Sequence, residues 1–299
     1  MNFDSSRINI IKKVEYFNSA VEKQVAKPLQ RPITREEIEA FQRDGVVCLR
    51  SFFNENWIEQ LREVTERAMA KPSPMHKPID TIKPTDGGTF FYDTFLSHHM
   101  EGFRKAAFTS PAAEIAGTLM GASKVNLLFD QLLVKEPGAL SPTVWHHDAT
   151  YWPVSGNQIS TLWLALDPVT YDTGAVEYIK GSHLWGERYL AISFNPEENY
   201  TEDLPNVPDI DNNRENYDIV WFELEPGDCT IHHALTLHGA PGNQSSTIRR
   251  RAYVTRWTGD DVTYNPRPNL MRIPWDPDIK PGGILDCDLF PVVWRNTLS

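Results

Sequence analysis

Apolar positions change their rhythm along this chain. In the first 120 residues they recur every three or four positions; from about residue 124 they come in short runs cut by turn residues. Ile10, Val14, Phe17 and Val21 keep helical spacing after Ser5 and Ser6, which can cap, so residues 1–32 read as a helical extension. "PITREEIEAFQRDG" has Thr34 three residues before Glu37, the pattern in which both satisfy free amides at a helix start, and Gly45 closes that helix. "VVCLRSFF" follows as a short strand. "NENWIEQLREVTERAMAK" predicts a second helix, capped by Asn54 and turning Trp57, Leu61, Val64 and Ala68 inward. "SPAAEIAGTLMG" predicts a third, with Ser110 as cap and Pro111 in the first turn.

The later part reads as strands. "KVNLLFDQLLVK" stops at "EPG", "ISTLWLALDPV" at "YDTG", "AVEYI" at "KGSH", "DIVWFELE" at "PGD" and "RAYVTRW" at "TGDD". Many short strands with regular turns predict a sandwich, jelly roll or barrel. Residues 195–218 interrupt the series with acids, prolines and asparagines and only Arg214 as a base. Such a stretch is a lid or a solvated loop. No internal repeat is present, and residues 1–299 read as a single domain.

Composition narrows the class. Charged residues make up 23% and the net charge is -11, so the basic footprint of a nucleic-acid binder is missing; the one dense basic run is at residues 248–251. Three widely spaced cysteines, Cys48, Cys229 and Cys287, form neither a disulfide framework nor a zinc pattern. No secretory leader is read at the N-terminus, and no run approaches the roughly 18 apolar residues of a membrane span. A cytoplasmic protein acting on a small molecule, with neither nucleic acid nor membrane as partner, is expected.

The chemistry concentrates in "VWHHDATYWP". On a strand, alternate side chains share a face, so His146 and Asp148 can close on one metal ion while His147 points away with Trp145. A third ligand must come from elsewhere. "PGDCTIHHALTLHGAPGN" offers His232, His233 and His238, of which His238 stands just before a Gly-rich turn. Two imidazoles and one carboxylate leave three positions of an octahedron open, the arrangement of non-haem Fe(II) oxygenases; closed zinc sites use four ligands, usually with cysteine.

Taken in order, these segments resemble the phytanoyl-CoA dioxygenase family of Fe(II)/2-oxoglutarate oxygenases. "ITREEIEAFQRDGVVCLRSFF" is similar to the family's opening helix and strand. "LLVKEPG" and "WHHDATYW" resemble its KxPG and WHxD segments. "LWLALDPVTYDTGAVEYIKGSH" and "EPGDCTIHHALTLHGAPGN" followed by "RRRAYVTRW" resemble the segments after them. The likeness runs from about residue 33 to 257. Departures fall at His147, Lys180 and Ala240, where the family often has Gln, Pro and Ser.

The resemblance implies a mainly β fold, a double-stranded β-helix (jelly-roll, cupin-like) core with flanking N-terminal α-helices. It implies iron held by His146, Asp148 and His238, with 2-oxoglutarate and O2 as co-substrates and succinate and CO2 released. Hydroxylation of a small organic metabolite is the leading outcome. Desaturation, epoxidation and rearrangement share the cofactor chemistry, and a non-catalytic jelly-roll binding protein is the rival from another class. Halogenation is disfavoured, because Asp148 fills the position a halide needs.

The distal carboxylate of 2-oxoglutarate suits a guanidinium fork. Residue counting from His238 favours Arg249. Strand alternation and the small Ala252 favour Arg250, which shares its face with Ala252, Val254 and Arg256. Trp163 and Lys135 are further candidates for the co-substrate pocket. Tyr151, Trp152, Phe194 and Trp257 are candidates for the substrate wall.

Overall fold

The computed structural model describes residues 29–76, 81–82, 87–192, 202–268 and 270–296. The helix expected near residues 10–21 and the candidate Phe194 lie outside them.

Helix α1 (Arg35–Asp44) starts where the Thr34/Glu37 pair predicts. Thr34 Oγ1 accepts from the Glu37 amide at 3.2 Å, and the Glu37 carboxylate accepts from the Thr34 amide at 2.8 Å. Gly45 ends it in the left-handed region, φ 75°, and the chain turns directly into β1 (Val46–Leu49). Helix α2 (Glu55–Ala70) is capped by Asn54 and buries Trp57, Ile58, Leu61, Val64 and Ala68. Helices α3 (Glu101–Thr109) and α4 (Ala112–Met120) follow. At the start of α4 the Ser110 Oγ accepts from the Ala112 amide at 3.4 Å, so Ser110 and Pro111 divide the capping role.

The remaining strands are β2 (Thr81–Ile82), β3 (Phe90–Thr94), β4 (Lys124–Lys135), β5 (Thr143–His146), β6 (Val154–Ser155), β7 (Ile159–Ala165) and β8 (Glu177–Ile179). Then come β9 (Ile219–Trp221), β10 (Cys229–His233), β11 (His238–Ala240), β12 (Arg250–Thr258), β13 (Thr263–Tyr264) and β14 (Val292–Arg295). A large sheet runs β1-β10-β7-β12-β4-β3-β2, with β14 beside β4; a smaller one runs β5-β11-β8-β9; β6 and β13 form a short ribbon. The paired strands are antiparallel.

Alternation divides the large sheet into two faces. Leu162, Leu164, Ile231, Tyr253 and Trp257 join the apolar cluster that the helices complete with Trp57, Leu61, Phe103 and Ile115. Thr161, Trp163, His232, Arg250, Val254 and Arg256 face the other way, toward His146 and His238 of the smaller sheet, and line a cavity. Helices sit on one side of the large sheet and the cavity on the other, in the mainly β, double-stranded β-helix arrangement.

The excursion expected at residues 195–218 is described from residue 202. It has no strand there and one short turn, Arg214–Asn216. Ile210 is 1% exposed and packs with Trp145, Ile179 and Leu237. Trp145 Nε1 donates to Asp211 at 2.8 Å, and Arg214 pairs with the buried Glu177. This part of the excursion is therefore anchored to the outer face of the smaller sheet by Trp145, the neighbour of His146 that points away from the cavity.

Candidate metal centre

His146 closes β5, and Asp148 opens a short 3-10 turn, Asp148–Thr150. The strand has ended before Asp148, but His147 between them keeps an extended backbone, φ -121° and ψ 146°, so the alternation carries one residue further. His238 opens β11 directly opposite His146 in register. One donor atom from each of His146, Asp148 and His238 lies within 4.8 Å of the others. Asp148 Oδ1 is 3.8 Å from His146 Nε2 and 4.0 Å from His238 Nε2.

Their other atoms are held in place. His146 Nδ1 bonds the Val144 carbonyl at 2.8 Å, and His238 Nδ1 bonds the Thr236 carbonyl at 2.9 Å. A carbonyl only accepts, so both Nδ1 atoms carry the proton and both Nε2 lone pairs face Asp148. Asp148 Oδ2 accepts from Thr161 Oγ1 at 2.6 Å, leaving Oδ1 toward the imidazoles. Burial pushes His146 and His238 below their usual values, so both stay neutral. Burial opposes charge on Asp148, yet a hydrogen bond from His232 and the charge of Arg256 hold its carboxyl well below the usual range. Two neutral imidazoles and an ionised carboxylate fit a divalent metal.

The other histidines differ. His147 accepts from the Tyr189 amide through Nε2 at 3.0 Å, on the far side of the smaller sheet, and burial pushes it down to about 4. His233 bonds the Asn157 carbonyl and the Leu235 amide. His232, also weighed as a ligand, does reach the cavity, with Nε2 3.4 Å from Asp148 Oδ2, the oxygen already taken by Thr161.

The cavity, about 220 Å³, extends from this centre between the sheets. Arg250 lines it, is 2% exposed, and has its guanidinium carbon 5.4 Å from the Trp163 ring centroid. Among the described residues its Nε and the Trp163 Nε1 have no hydrogen-bond partner. Arg249 does not enter. It reaches outward to Glu136 and Glu66, because adjacent strand residues take opposite faces. Arg251 likewise pairs outside, with Asp167 and Glu66.

Lys135, opposite Arg250 in register, is fully buried. Its Nζ donates to the Pro241 carbonyl at 2.7 Å, and burial, then the Arg250 charge, pushes it down to about 6.

Tyr151 and Trp152 line the cavity. Trp257 does not, which corrects its expected place in the substrate wall. It is fully buried on the opposite face of β12, in the cluster that holds Tyr253 and Phe103, and donates to Thr255 Oγ1 at 2.8 Å. The alternation that turns Arg250 inward turns Trp257 outward, toward the helices. Sequence reasoning passed over Thr161 and Gln131 as cavity residues and gave no role to Arg256, although it set Arg256 on the Arg250 face.

A double-stranded β-helix with a His-Asp-His group in its mouth defines the non-haem iron, 2-oxoglutarate-dependent oxygenases as a class. The model of one family within it, phytanoyl-CoA dioxygenase (PhyH), matches residues 41–252, and the chain belongs to that family. A methylphosphonate hydroxylase from Gimesia maris is 24% identical over 225 residues, covering 75% of this chain and 80% of that one. The non-haem, alpha-ketoglutarate-dependent carbocyclase SnoK from nogalamycin biosynthesis superposes with a TM-score of 0.69 at 23% identity, over 90% of this chain and 100% of that one. The epimerase SnoN in complex with Fe3+, alpha ketoglutarate and nogalamycin RO gives 0.66 at 24% identity, over 87% and 98%. The protein is an iron- and 2-oxoglutarate-dependent dioxygenase. No helix among the described residues is long and apolar enough to cross a membrane.

Proposed function

We propose that this enzyme hydroxylates an unactivated C–H bond of a small organic metabolite, as a single domain working in the cytoplasm without nucleic acid or membrane. The observation that carries the reading is the convergence of two neutral imidazoles and one carboxylate in a cavity that also holds an inward arginine and an aromatic wall.

His146 and His238 hold iron through Nε2, and Asp148 through its carboxylate. The Val144 and Thr236 carbonyls keep the imidazole lone pairs aimed, and Thr161 keeps Asp148 turned. Arg250 receives the distal carboxylate of 2-oxoglutarate. Its fork fits that planar group, and burial strengthens the contact. Trp163 supports the guanidinium, and Lys135 lies beside it as a second cation once a carboxylate is near. Tyr151 and Trp152 press the substrate against the metal side and exclude water. Bound iron and 2-oxoglutarate supply oxygen activation, with release of succinate and CO2.

Desaturation, epoxidation and rearrangement use the same residues; the likeness to a carbocyclase and an epimerase keeps these outcomes in view. The test is succinate release from 2-oxoglutarate with added Fe(II), measured for the wild type and for His146→Ala, Asp148→Ala and His238→Ala. The wild type turns over and each variant is silent. Iron-dependent turnover that survives loss of any of the three refutes the ligand set.

A further inference from the structure

We infer that Arg256 is a substrate-recognising residue, and that the substrate offers it an oxyanion, a carboxylate or a phosphonate. The inference rests on the reading above in which Arg250 takes the co-substrate.

Arg256 is 7% exposed and lines the cavity. It stands six residues beyond Arg250 on the same face of β12, opposite Thr161 of β7, the residue that holds Asp148. Six strand residues set the two Cα atoms roughly 20 Å apart, so the two guanidinium groups do not share one carboxylate. With Arg250 on the distal carboxylate, Arg256 is left for a second molecule at the metal end of the cavity, beside His146 and Asp148.

Its surroundings leave work undone. Nη2 donates to Gln131 Oε1 at 2.6 Å, but Nε and Nη1 are buried without a partner. The guanidinium carbon is 4.8 Å from the Phe129 ring centroid and 6.0 Å from that of Trp152. Buried guanidinium donors left unpaired are costly, and a ligand that completes them removes that cost. Among the described residues no carboxylate bonds them, although Asp148 and Asp130 lie near enough to favour the charge. Asp148 Oδ2 is taken by Thr161 and its other oxygen faces the imidazoles; Asp130 accepts from Ser97 and Tyr253.

The charges agree. Iron(II) and doubly ionised 2-oxoglutarate cancel, and Asp148 offsets one of the two cavity arginines. One arginine charge then remains unbalanced within that group. A substrate carboxylate or phosphonate meets the fork with charge-assisted bonds, while Gln131 fixes its angle and Phe129 and Trp152 flank its plane. A neutral acceptor meets the donors without that charge assistance.

The probes are short alkyl and aryl carboxylates, the matching phosphonates, and their uncharged esters, methyl for the carboxylates and dimethyl for the phosphonates. Each is titrated calorimetrically into full-length enzyme loaded with Fe(II) and 2-oxoglutarate under argon. One oxyanion series binds and its esters do not, and the series that binds identifies the anion. Arg256→Gln and Arg256→Met weaken that binding roughly thirtyfold or more, the loss expected for charged hydrogen bonds. Both change 2-oxoglutarate affinity by less than about threefold. Arg256→Met, freed of an unpaired buried cation, has a ligand-free Tm equal to or above wild type, so its loss is not misfolding.

Binding of esters as tightly as anions overturns the inference, as does binding of neither series, or anion affinity unchanged in both variants. Loss of 2-oxoglutarate affinity in the Arg256 variants overturns it, because Arg256 then serves the co-substrate. Retained 2-oxoglutarate affinity in Arg250→Gln, with the Arg256 results as expected, overturns the Arg250 assignment alone.

Discussion

His146 and His147 are the same residue type, one position apart, and differ in which side of β5 they leave. His146 turns its Nε2 toward Asp148, whereas His147 uses its Nε2 to accept the Tyr189 amide on the other side of the sheet. His147→Gln offers that amide a carbonyl oxygen instead, so the variant keeps its iron and most of its turnover, with a Tm within a few degrees of wild type. His146→Ala removes a donor and loses both iron and turnover. Metal content after desalting, measured beside succinate release, decides it; iron lost from His147→Gln and kept by His146→Ala reverses the assignment. Lys135 carries a prediction about pH. Burial, then Arg250, pushes its ammonium down to about 6, against about 10.4 in an unfolded chain. Between these values the unfolded chain binds the extra proton, so the cost of burying this lysine is absent at high pH and grows as pH falls toward 6. Lys135→Met carries no such cost. The lost bond to the Pro241 carbonyl lowers its stability by an amount that does not vary with pH. Relative to wild type, and without co-substrate, the Tm of Lys135→Met is therefore most favourable near pH 6 to 7 and falls back toward pH 9. A difference constant with pH refutes a neutral buried lysine.

At the scale of the element, β12 shows what sequence rhythm can and cannot specify. Its alternation places Arg250, Val254 and Arg256 on the cavity and Arg249 among surface carboxylates. Counting residues from His238 chose Arg249 instead, because a count measures loop length and alternation measures face. Arg250→Ala raises the KM for 2-oxoglutarate about a hundredfold, and Arg249→Ala changes it less than about threefold; the opposite result inverts the strand. The long strands β4, β7 and β12 were legible because their apolar runs end at Gly, Pro and Asp turns. Strand β3 and helix α3 were not. Helix α3 starts at Met100 with no side-chain cap, and β3 is short and borders a stretch of Gly and Pro, so neither carried a boundary signal. Trp257 was misplaced because its aromatic character was weighed apart from its strand face. The end of α1 reaches the metal centre by contacts that no local pattern reveals. The Gly45 carbonyl accepts from Thr236 Oγ1 at 2.8 Å, and the Thr236 carbonyl in turn fixes His238 Nδ1. Gly45 has φ 75°, and a Cβ there collides with the side chains of His183 and Thr236. Gly45→Ala is expected to weaken iron binding about tenfold, the size of effect seen when a ligand's orienting partner is lost. Competition against a colorimetric chelator measures it, and a lowered Tm with unchanged iron affinity confines Gly45 to a structural role.

For the whole molecule, the site depends on two sheets whose facing residues come from separated parts of the chain. His146 lies on β5, His238 on β11 and Thr161 on β7, and the first two meet only when the smaller sheet pairs β5 with β11. Local pattern could propose the His146/Asp148 half and offer three histidines for the rest; only the sheet pairing brings His238 opposite His146. The described part of the 195–218 excursion, clamped by Ile210 and Trp145, steadies the back of that smaller sheet. Stability should therefore respond to the ligands in a fixed order. A metal that binds the folded His-Asp-His group stabilises by mass action, about 2.7 kcal/mol when free metal is a hundred times its Kd, or a Tm rise of about 4 °C in a chain of this size. Mn(II) serves as a redox-silent stand-in for iron in such a scan. A second rise appears when 2-oxoglutarate joins the metal, and 2-oxoglutarate alone produces little, because the metal supplies half of its anchorage. Asp148→Ala abolishes both rises. Arg250→Ala keeps the first and loses the second, since the distal carboxylate then has no fork to meet. A jelly roll that had kept the fold without the chemistry gives neither. A metal rise that survives Asp148→Ala, or a 2-oxoglutarate rise that survives Arg250→Ala, refutes the corresponding assignment without any need to know the substrate.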